Sequence, residues 1–350
     1  MRIAVDVMGA DHGSGVIVDG TRMALEANPG ITELLLVGDE EQISTHCSKS
    51  GFKDPRVRIV HASQVLTMED KPIDALRKKK DCSIARAIEQ VKSGDADAVV
   101  SPGNTGGILS AGTIRLRALP GISRAAIATV IPEPENEFVL LDAGANTECK
   151  GLHLAEFGVM GSIYSQQILG KPKPRVGVLS NGTEEMKGNE LTQDAHRILS
   201  RLDLNYIGNV EGHDLFKNRV DVVVADGFVG NIVLKTCESM AKAMFAWLKT
   251  ELTANPKRKL GALLAKEAFK SLKHKLDAEN YGGAPLLGLK GIVIKAHASA
   301  SERAIMNAVH TATTALEADM NAKITSEMEK AVDILEEVRK SQNDTEKVAV

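Results

Sequence analysis

The chain has 350 residues, of which 43% are hydrophobic and 25% charged, and its net charge is -3. That balance gives no basic excess for a polyanion partner, so nucleic acid is not expected. The apolar runs also fall short of the ~18 residues a membrane span needs. Cys47, Cys82, Cys149 and Cys237 are widely spaced with no CxxC pair, and the N-terminus MRIAVDVMGADHG is too short and polar for a signal peptide; together these fit a soluble cytoplasmic protein with free thiols.

Short runs rich in Val, Ile and Leu recur along the chain. They are Ile3 to Val7, Glu33 to Gly38, Arg56 to Ala62, Asp97 to Val100, Ala125 to Ile131 and Glu137 to Gly144. Arg175 to Ser180, Asn205 to Val210, Val220 to Gly227 and Gly291 to Ala296 complete the series. Helical patterns lie between many of them, as at Ser83 to Lys92, Leu154 to Leu169, Glu190 to Leu202 and Ile232 to Leu252. Near-continuous apolar strands alternating with helices predict an α/β fold, a doubly wound and mainly parallel sheet in an α/β/α sandwich. AAIATVI and EFVLLDAG, joined by PEPEN, allow a hairpin, which would make the sheet mixed. The expected organisation is one unit over residues 1–345 with a cleft, a basic amphipathic helical excursion over 253–280, and a frayed tail over 341–350.

Polar, glycine-rich segments follow the strands: MGADHGSG, SPGNTGG, LDAGAN, SNGTEEMKGNE and ADGFVGN. Ligands of open α/β sheets bind outside the carboxyl ends of strands, and backbone N–H groups at helix starts favour anions. Glycine, Asn and Asp at such junctions also serve as plain turn formers and caps. GxGxxG, a complete P-loop, HExxH and GxSxG are all missing, which argues against the common nucleotide, zinc-hydrolase and serine-hydrolase sites. No metal cluster and no cofactor is expected, and anion binding without those motifs points to a phosphate-bearing or otherwise negative substrate.

VDVMGADHG, KPIDALRKKKDCS, SPGNTGG, LDAGAN, VGVLSNGTEEMKGNELT, NVEGHD, ADGFVGN and YGGAPLLGLKG occur in this order from end to end. Together they resemble the bacterial phosphate acyltransferase family (PlsX). Small departures are MGAD for the usual MGGD, GNTGG for GNTGA, KDCS where the family has two serines, and KAHAS for a usual His-Gly. The resemblance implies transfer of a fatty acyl group from acyl carrier protein to inorganic phosphate, for phospholipid synthesis. It also implies a homodimer and a fold similar to isopropylmalate dehydrogenase and phosphotransacetylase.

Phosphate attacking a thioester needs holding, aiming and oxyanion stabilisation more than covalent help. Lys187, flanked by glycines after a strand, is the first choice for holding negative charge. Asn231, at the start of the Ile232 helix, is expected to donate to the thioester or phosphate, a role compatible with capping. Asn104, Thr105 and Gly106 are expected to approach phosphate. Asp6, Asp11, Asp142, Asn146 and Asp226 occupy other strand ends; the carboxylates either orient a lysine and handle a proton or cap helices. His297, like His12, is an acid–base candidate. Cys82, at an expected helix start where a thiol pKa would fall, suggests an acyl-cysteine route, but the resembling family has serine there and direct attack is preferred.

Arg77, Lys78, Lys79 and Lys80 form the densest basic run, suited to steering an acidic carrier protein or to a solvated helix end. In PKRKLGALLAKEAFKSLKHKLD, Phe269, Leu272 and Leu276 lie on one stripe, with Leu260, Leu263 and Leu264 on a second, rotated one. A basic amphipathic helix of this kind meets an anionic membrane surface, a partner subunit or the core. Peripheral membrane association would deliver acyl-phosphate to a membrane glycerol-3-phosphate acyltransferase. The competing readings are phosphotransacetylase-like transfer with acyl-coenzyme A, nicotinamide-dependent dehydrogenation on a similar fold, and a non-catalytic membrane scaffold.

Overall fold

The computed structural model describes residues 1–276 and 278–348. Its strands are β1 (Arg2–Asp6), β2 (Glu33–Gly38), β3 (Val57–His61), β4 (Ala98–Ser101), β5 (Ala126–Pro132) and β6 (Glu137–Leu141). They continue with β7 (Val176–Leu179), β8 (Tyr206–Val210), β9 (Val222–Val224), β10 (Ala284–Leu287) and β11 (Ile292–Lys295). The helices are α1 (Ser14–Ala27), α2 (Glu40–Ser50), α3 (Pro72–Lys78), α4 (Ser83–Ser93), α5 (Thr105–Arg115), α6 (Gly151–Ile168) and α7 (Glu190–Leu199). After them come α8 (Gly227–Thr253), α9 (Pro256–Leu264), α10 (Lys266–Lys275), α11 (Glu302–Glu317), α12 (Met320–Lys330) and α13 (Val332–Val348).

The strands form one sheet in the order β3-β2-β1-β4-β11-β10-β5-β6-β9-β7-β8. Successive residues of a strand face opposite layers, and the core divides accordingly. Ile3 and Val5 join α1, α6, α11 and α12 on one face, whereas Ala4 and Val99 join α4 and α5 on the other. Burial on both faces is why these strands read as continuous apolar runs. The α6 helix is buried from Gly151 through Ser165, and its Glu156 is matched by Arg339 of α13 at 2.8 Å and by Ser123.

Strand direction changes in the middle of the sheet. The β1, β2, β3, β4 and β11 strands run parallel, while β10 is antiparallel to both β11 and β5. The β5–β6 pair is an antiparallel hairpin, and β6, β9, β7 and β8 then run parallel to one another. The second group therefore points opposite to the first. The sequence reading missed β10, whose Ala284–Leu287 is short, holds Pro285, and is bracketed by Gly282, Gly283 and Gly288 at positive φ. Those glycines read as turn punctuation and conceal the strand.

The α8 helix begins at Gly227, earlier than Ile232, because Asp226 caps it. Its 27 residues reach about 40 Å at 1.5 Å per residue, yet its only buried residues are Gly227 and Gly230. Val233 and Leu234 pack on the core, after which the helix leaves the body with Met240, Met244 and Trp247 exposed. The amphipathic excursion is two helices, not one: α9 and α10 meet at Ala265. The rotation between the two leucine stripes in the sequence coincides with that break. Asp277 lies outside the described residues. The segment expected to fray continues α13 to Val348, with 349 and 350 outside the described residues.

Candidate active site

Because the sheet reverses direction, the predicted site residues leave their strands at two opposite edges. Asp6, Asp11, Asn104, Thr105, Gly106 and His297 follow β1, β4 and β11; Asp142, Asn146, Lys187, Asp226 and Asn231 follow β6, β7 and β9. The hairpin that the sequence allowed is present, and with the antiparallel β10 it sets the two groups of loops on opposite edges, which periodicity could not show because it carries no sign of strand direction.

At the first edge, most polar groups are engaged in holding loops. Asp6 is fully buried; its carboxylate accepts from Met8 N at 3.1 Å and from Ser101 Oγ at 2.7 Å. Ser101 Oγ in turn accepts from Gly103 N at 3.1 Å. Burial pushes Asp6 up to about 6, opposed by the Ser101 and Ser83 hydroxyls, Met8 N–H and Lys295. Asn104 caps α5 by accepting from Gly107 N at 2.9 Å, and its amide donates to Thr67 O and Met68 O at 3.1 and 3.2 Å. Both amide protons are therefore engaged, so Asn104 has no side-chain donor left for phosphate. A Cβ at Gly106 would lie 2.6 Å from Pro72 Cγ, and at Gly107 2.8 Å from Leu66 Cδ2. Close packing is by itself sufficient to require glycine at these two positions. Thr105 opens α5 and is exposed, and Asp11, also exposed, donates its backbone N–H to Ala298 O at 2.9 Å.

The second edge is built on Asp142. Its two oxygens accept from Ile127 N, Gly144 N and Ala145 N at 3.0–3.1 Å, from Asn146 N at 2.7 Å and from Asn146 Nδ2 at 2.9 Å. Burial raises this carboxyl, and the Ala145 and Asn146 donors oppose the rise. Asn146 gives its other amide proton to Ala125 O at 2.8 Å. Asp226 accepts from Phe228 N and Val229 N at 2.9 and 3.0 Å. These three residues are therefore structural: they shape the loop and cap α8. Asn231 itself is not the cap; it lies a turn inside α8, exposed, with its amide against Gly144.

Among the described residues, neither the Asn231 amide nor the Lys187 ammonium has a hydrogen-bond partner. Lys187 is exposed, and its loop is pinned at its base by Gly188 N to Asn181 Oδ1, Asn209 Nδ2 to Glu184 O and Gln193 Nε2 to Met186 O, each 2.8 Å. The ends of β7 and β9 are neighbours through Val178 and Val224, so the two residues lie at the same edge. A fixed loop carrying an unengaged cation at the same edge as an unengaged amide donor suits the handling of an anion.

The α8 helix joins the two edges. Asn231, Lys235, Glu238 and Lys242 recur every three or four residues, which places them on one face, with Asn231 and Lys235 about 6 Å apart along the axis. Lys235 opposes the charge of both Lys295 and His297, and Glu238 and Lys242 also act on His297. Desolvation, then Lys235 and Lys295, lowers His297, which pairs with Ser299 Oγ at 2.8 Å. Thus one face of α8 carries Asn231 against Gly144 of the second edge and Lys235 within electrostatic reach of Lys295 and His297 of the first. Sequence reasoning missed Lys295; its only signal was a lysine closing the apolar run GIVIK.

Other expectations are revised. Cys82 does head α4, but it is fully buried and desolvation raises its thiol, so the helix start does not activate it. Cys149 is pushed up to about 12, chiefly by burial and by Asp142 and Asp226. In the basic run, Arg77, Lys78 and Lys80 are exposed, whereas Lys79 turns back onto Asp70 and donates to Val65 O at 3.0 Å. Lys79 therefore closes its own loop and is withdrawn from a docking surface. Leu260, Leu263, Leu264, Leu272 and Leu276 are exposed, and Phe269 is half-buried. Glu211, His213 and Asp214 have ligand atoms within 4.8 Å of one another, but Asp214 is held by Arg219 at 2.9 Å and by Glu211 N at 3.2 Å. Among the described residues no helix is long and apolar enough to cross a membrane.

Comparison with known proteins adds independent findings. A family model described as "Fatty acid synthesis protein" matches residues 1–323. A protein of Akkermansia muciniphila named phosphate acyltransferase is 44% identical over 334 residues, covering 94% of this chain and 96% of its own. A second protein of that name, from Syntrophotalea carbinolica, is 45% identical over 326 residues and 93% of each chain. A phosphotransacetylase from Streptococcus pyogenes superposes with a TM-score of 0.61 over 91% of this chain and 94% of its own, at 21% identity, a likeness of fold alone.

Proposed function

The chain belongs to the phosphate acyltransferase family, and from that premise we propose that it transfers a fatty acyl group from acyl carrier protein to inorganic phosphate, making acyl-phosphate for phospholipid synthesis. A phosphate oxygen attacks the thioester carbonyl carbon; the new C–O bond forms, the C–S bond breaks, and the carrier thiolate leaves and takes a proton from water. Lys187 holds the phosphate charge, and Asn231 donates to the carbonyl oxygen as it becomes an oxyanion. The observation carrying this reading is that, among the described residues, Lys187 and Asn231 keep unengaged donors in the loop and helix that follow the neighbouring strands β7 and β9, while the carboxylates around Asn231 are tied into the backbone.

The test is release of carrier thiol from long-chain acyl carrier protein, with and without phosphate, in the wild type and Lys187→Ala. Phosphate-dependent release that collapses in the folded variant is expected. No release by the wild type would overturn the reading, and preference for acyl-coenzyme A would replace the donor.

The proposal extends to assembly and location. The outer part of α8, with Met240, Met244 and Trp247 at 51%, 59% and 65% exposure, suits a second copy of the chain. The α9–α10 pair sets exposed leucines among Lys257, Arg258, Lys259, Lys266, Lys270 and Lys273, which suits reversible attachment of a cytoplasmic protein to an anionic membrane, where a membrane glycerol-3-phosphate acyltransferase takes the product. Leu272→Glu is expected to abolish flotation with anionic vesicles while leaving the fold intact; unchanged flotation would sink that part.

A further inference from the structure

We propose that Lys295 is a positioning residue for the transfer reaction, fastening the turn before α5 to the end of β11 so that the first loop edge presents a fixed, cationic wall to the polar face of α8. This rests on the acyl-transfer reading above. Lys295 ends β11 beside Ser101 of β4, and its ammonium donates to Pro102 O at 3.2 Å and to Ala296 O. Both acceptors are backbone carbonyls, one on each of two loops, so one side chain ties the loops together.

The rest of the pad is arranged around the same point. From beneath, Asp6 holds Ser101, and Ser101 holds Gly103 N. From the side, Gly9, at φ +78°, approaches so closely that a Cβ there would lie 3.2 Å from Gly103 Cα. The Asp11 N–H to Ala298 O bond ties the loop after β1 to the loop after β11. The loops after β1, β4 and β11 are thus one tied unit, with Lys295 as its cation.

A neutral side chain would fill this space without its desolvation penalty, so the retained charge calls for a use. The groups facing Lys295 from each side are Asp6 of β1, Asp11 of the following loop and Lys235 of α8, with His297 two residues ahead on its own strand end. Burial and Lys235 lower Lys295 to about 8, against the pull of Asp6 and Asp11. Lys235 is itself paired with Glu238 at 2.9 Å, and any added negative charge near Lys295 favours its charged form.

The experiment compares phosphate-dependent thiol release between pH 7 and 10 in wild type, Lys295→Arg and Lys295→Met, together with hydrogen exchange of the 101–107 amides in enzyme free of substrate. The wild type is expected to lose kcat/KM for phosphate on an alkaline limb near pH 8. Lys295→Arg keeps its charge and moves that limb up by about one unit or more. Lys295→Met loses about 10- to 100-fold, has no such limb, and exchanges its 101–107 amides faster. An unmoved limb in Lys295→Arg, or wild-type exchange and kcat/KM in Lys295→Met, would overturn the proposal. If Lys295→Met does not fold, the arginine variant decides alone. Inactive wild type would overturn the acyl-transfer reading instead, while the exchange result still judges the fastening role.

Discussion

The two loop edges use the same device for different ends. Each has a fully buried aspartate at a strand end that holds its loop: Asp6 in the first accepts from Met8 N–H and the Ser101 hydroxyl, and Asp142 in the second accepts from the Gly144, Ala145 and Asn146 N–H groups. In the first edge the neighbouring cation, Lys295, is drawn into the loop and bound to backbone carbonyls. In the second, the carboxylates complete their bonds with the backbone and Asn146, leaving Lys187 and Asn231 unengaged among the described residues. Buried carboxylates therefore build both edges, and what distinguishes them is whether the cation fastens loops, as Lys295 does, or stands unengaged among the described residues, as Lys187 does.

That contrast is broken most strongly at Asp142. Asp142→Ala leaves several buried N–H groups without an acceptor and is expected to cost about 3 kcal/mol or more of stability in urea unfolding, with Asp142→Asn intermediate. Asn231→Ala is expected to lower kcat/KM by about 100- to 1,000-fold while shifting the urea midpoint little, because among the described residues its amide has no partner to abandon. Asn104→Ala should show the reverse balance, losing about 1–2 kcal/mol of stability through the cap and two orphaned carbonyls. A smaller activity loss in Asn231→Ala than in Asn104→Ala would invert the assignment of the two asparagines.

Asp6 sharpens the comparison through pH. Its folded value of about 6 lies above that of an unfolded aspartate, so between about pH 4 and 6 the folded chain binds the extra proton. Relative to Asp6→Asn, the wild type should therefore gain stability as pH falls through that window, by roughly 2–3 kcal/mol in all. A difference that stays flat from pH 4 to 7 would contradict it. The smallest effect is expected at the thiols: Cys82 and Cys149, raised by burial, should react with iodoacetamide more slowly at pH 8 than an unfolded-chain cysteine.

Much of this was legible without coordinates. The apolar runs place ten of the strands to within a few residues, because a strand buried on both faces must be apolar along its whole length. The ordered loop motifs carry the family. The β10 strand was illegible because glycines with positive φ frame four residues that include a proline. For the site, residue type marked Lys187 and Asn231 but marked Asn104, Asn146 and Asp142 equally, since amides and carboxylates serve ligands and backbone alike.

The sequence by itself determined which segments are strands, where polar loops follow them and which family they belong to, since these depend on local pattern and on motif order. Only the tertiary structure decided the direction of each half of the sheet, the convergence of the two edges on α8, and which polar groups are already engaged. Those properties depend on contacts between residues such as Asp6 and Ser101, or Lys295 and Pro102, that lie far apart in the chain. Hydrogen-bonding capacity is set by residue type, but whether any is left for a substrate is set by what folding places beside it.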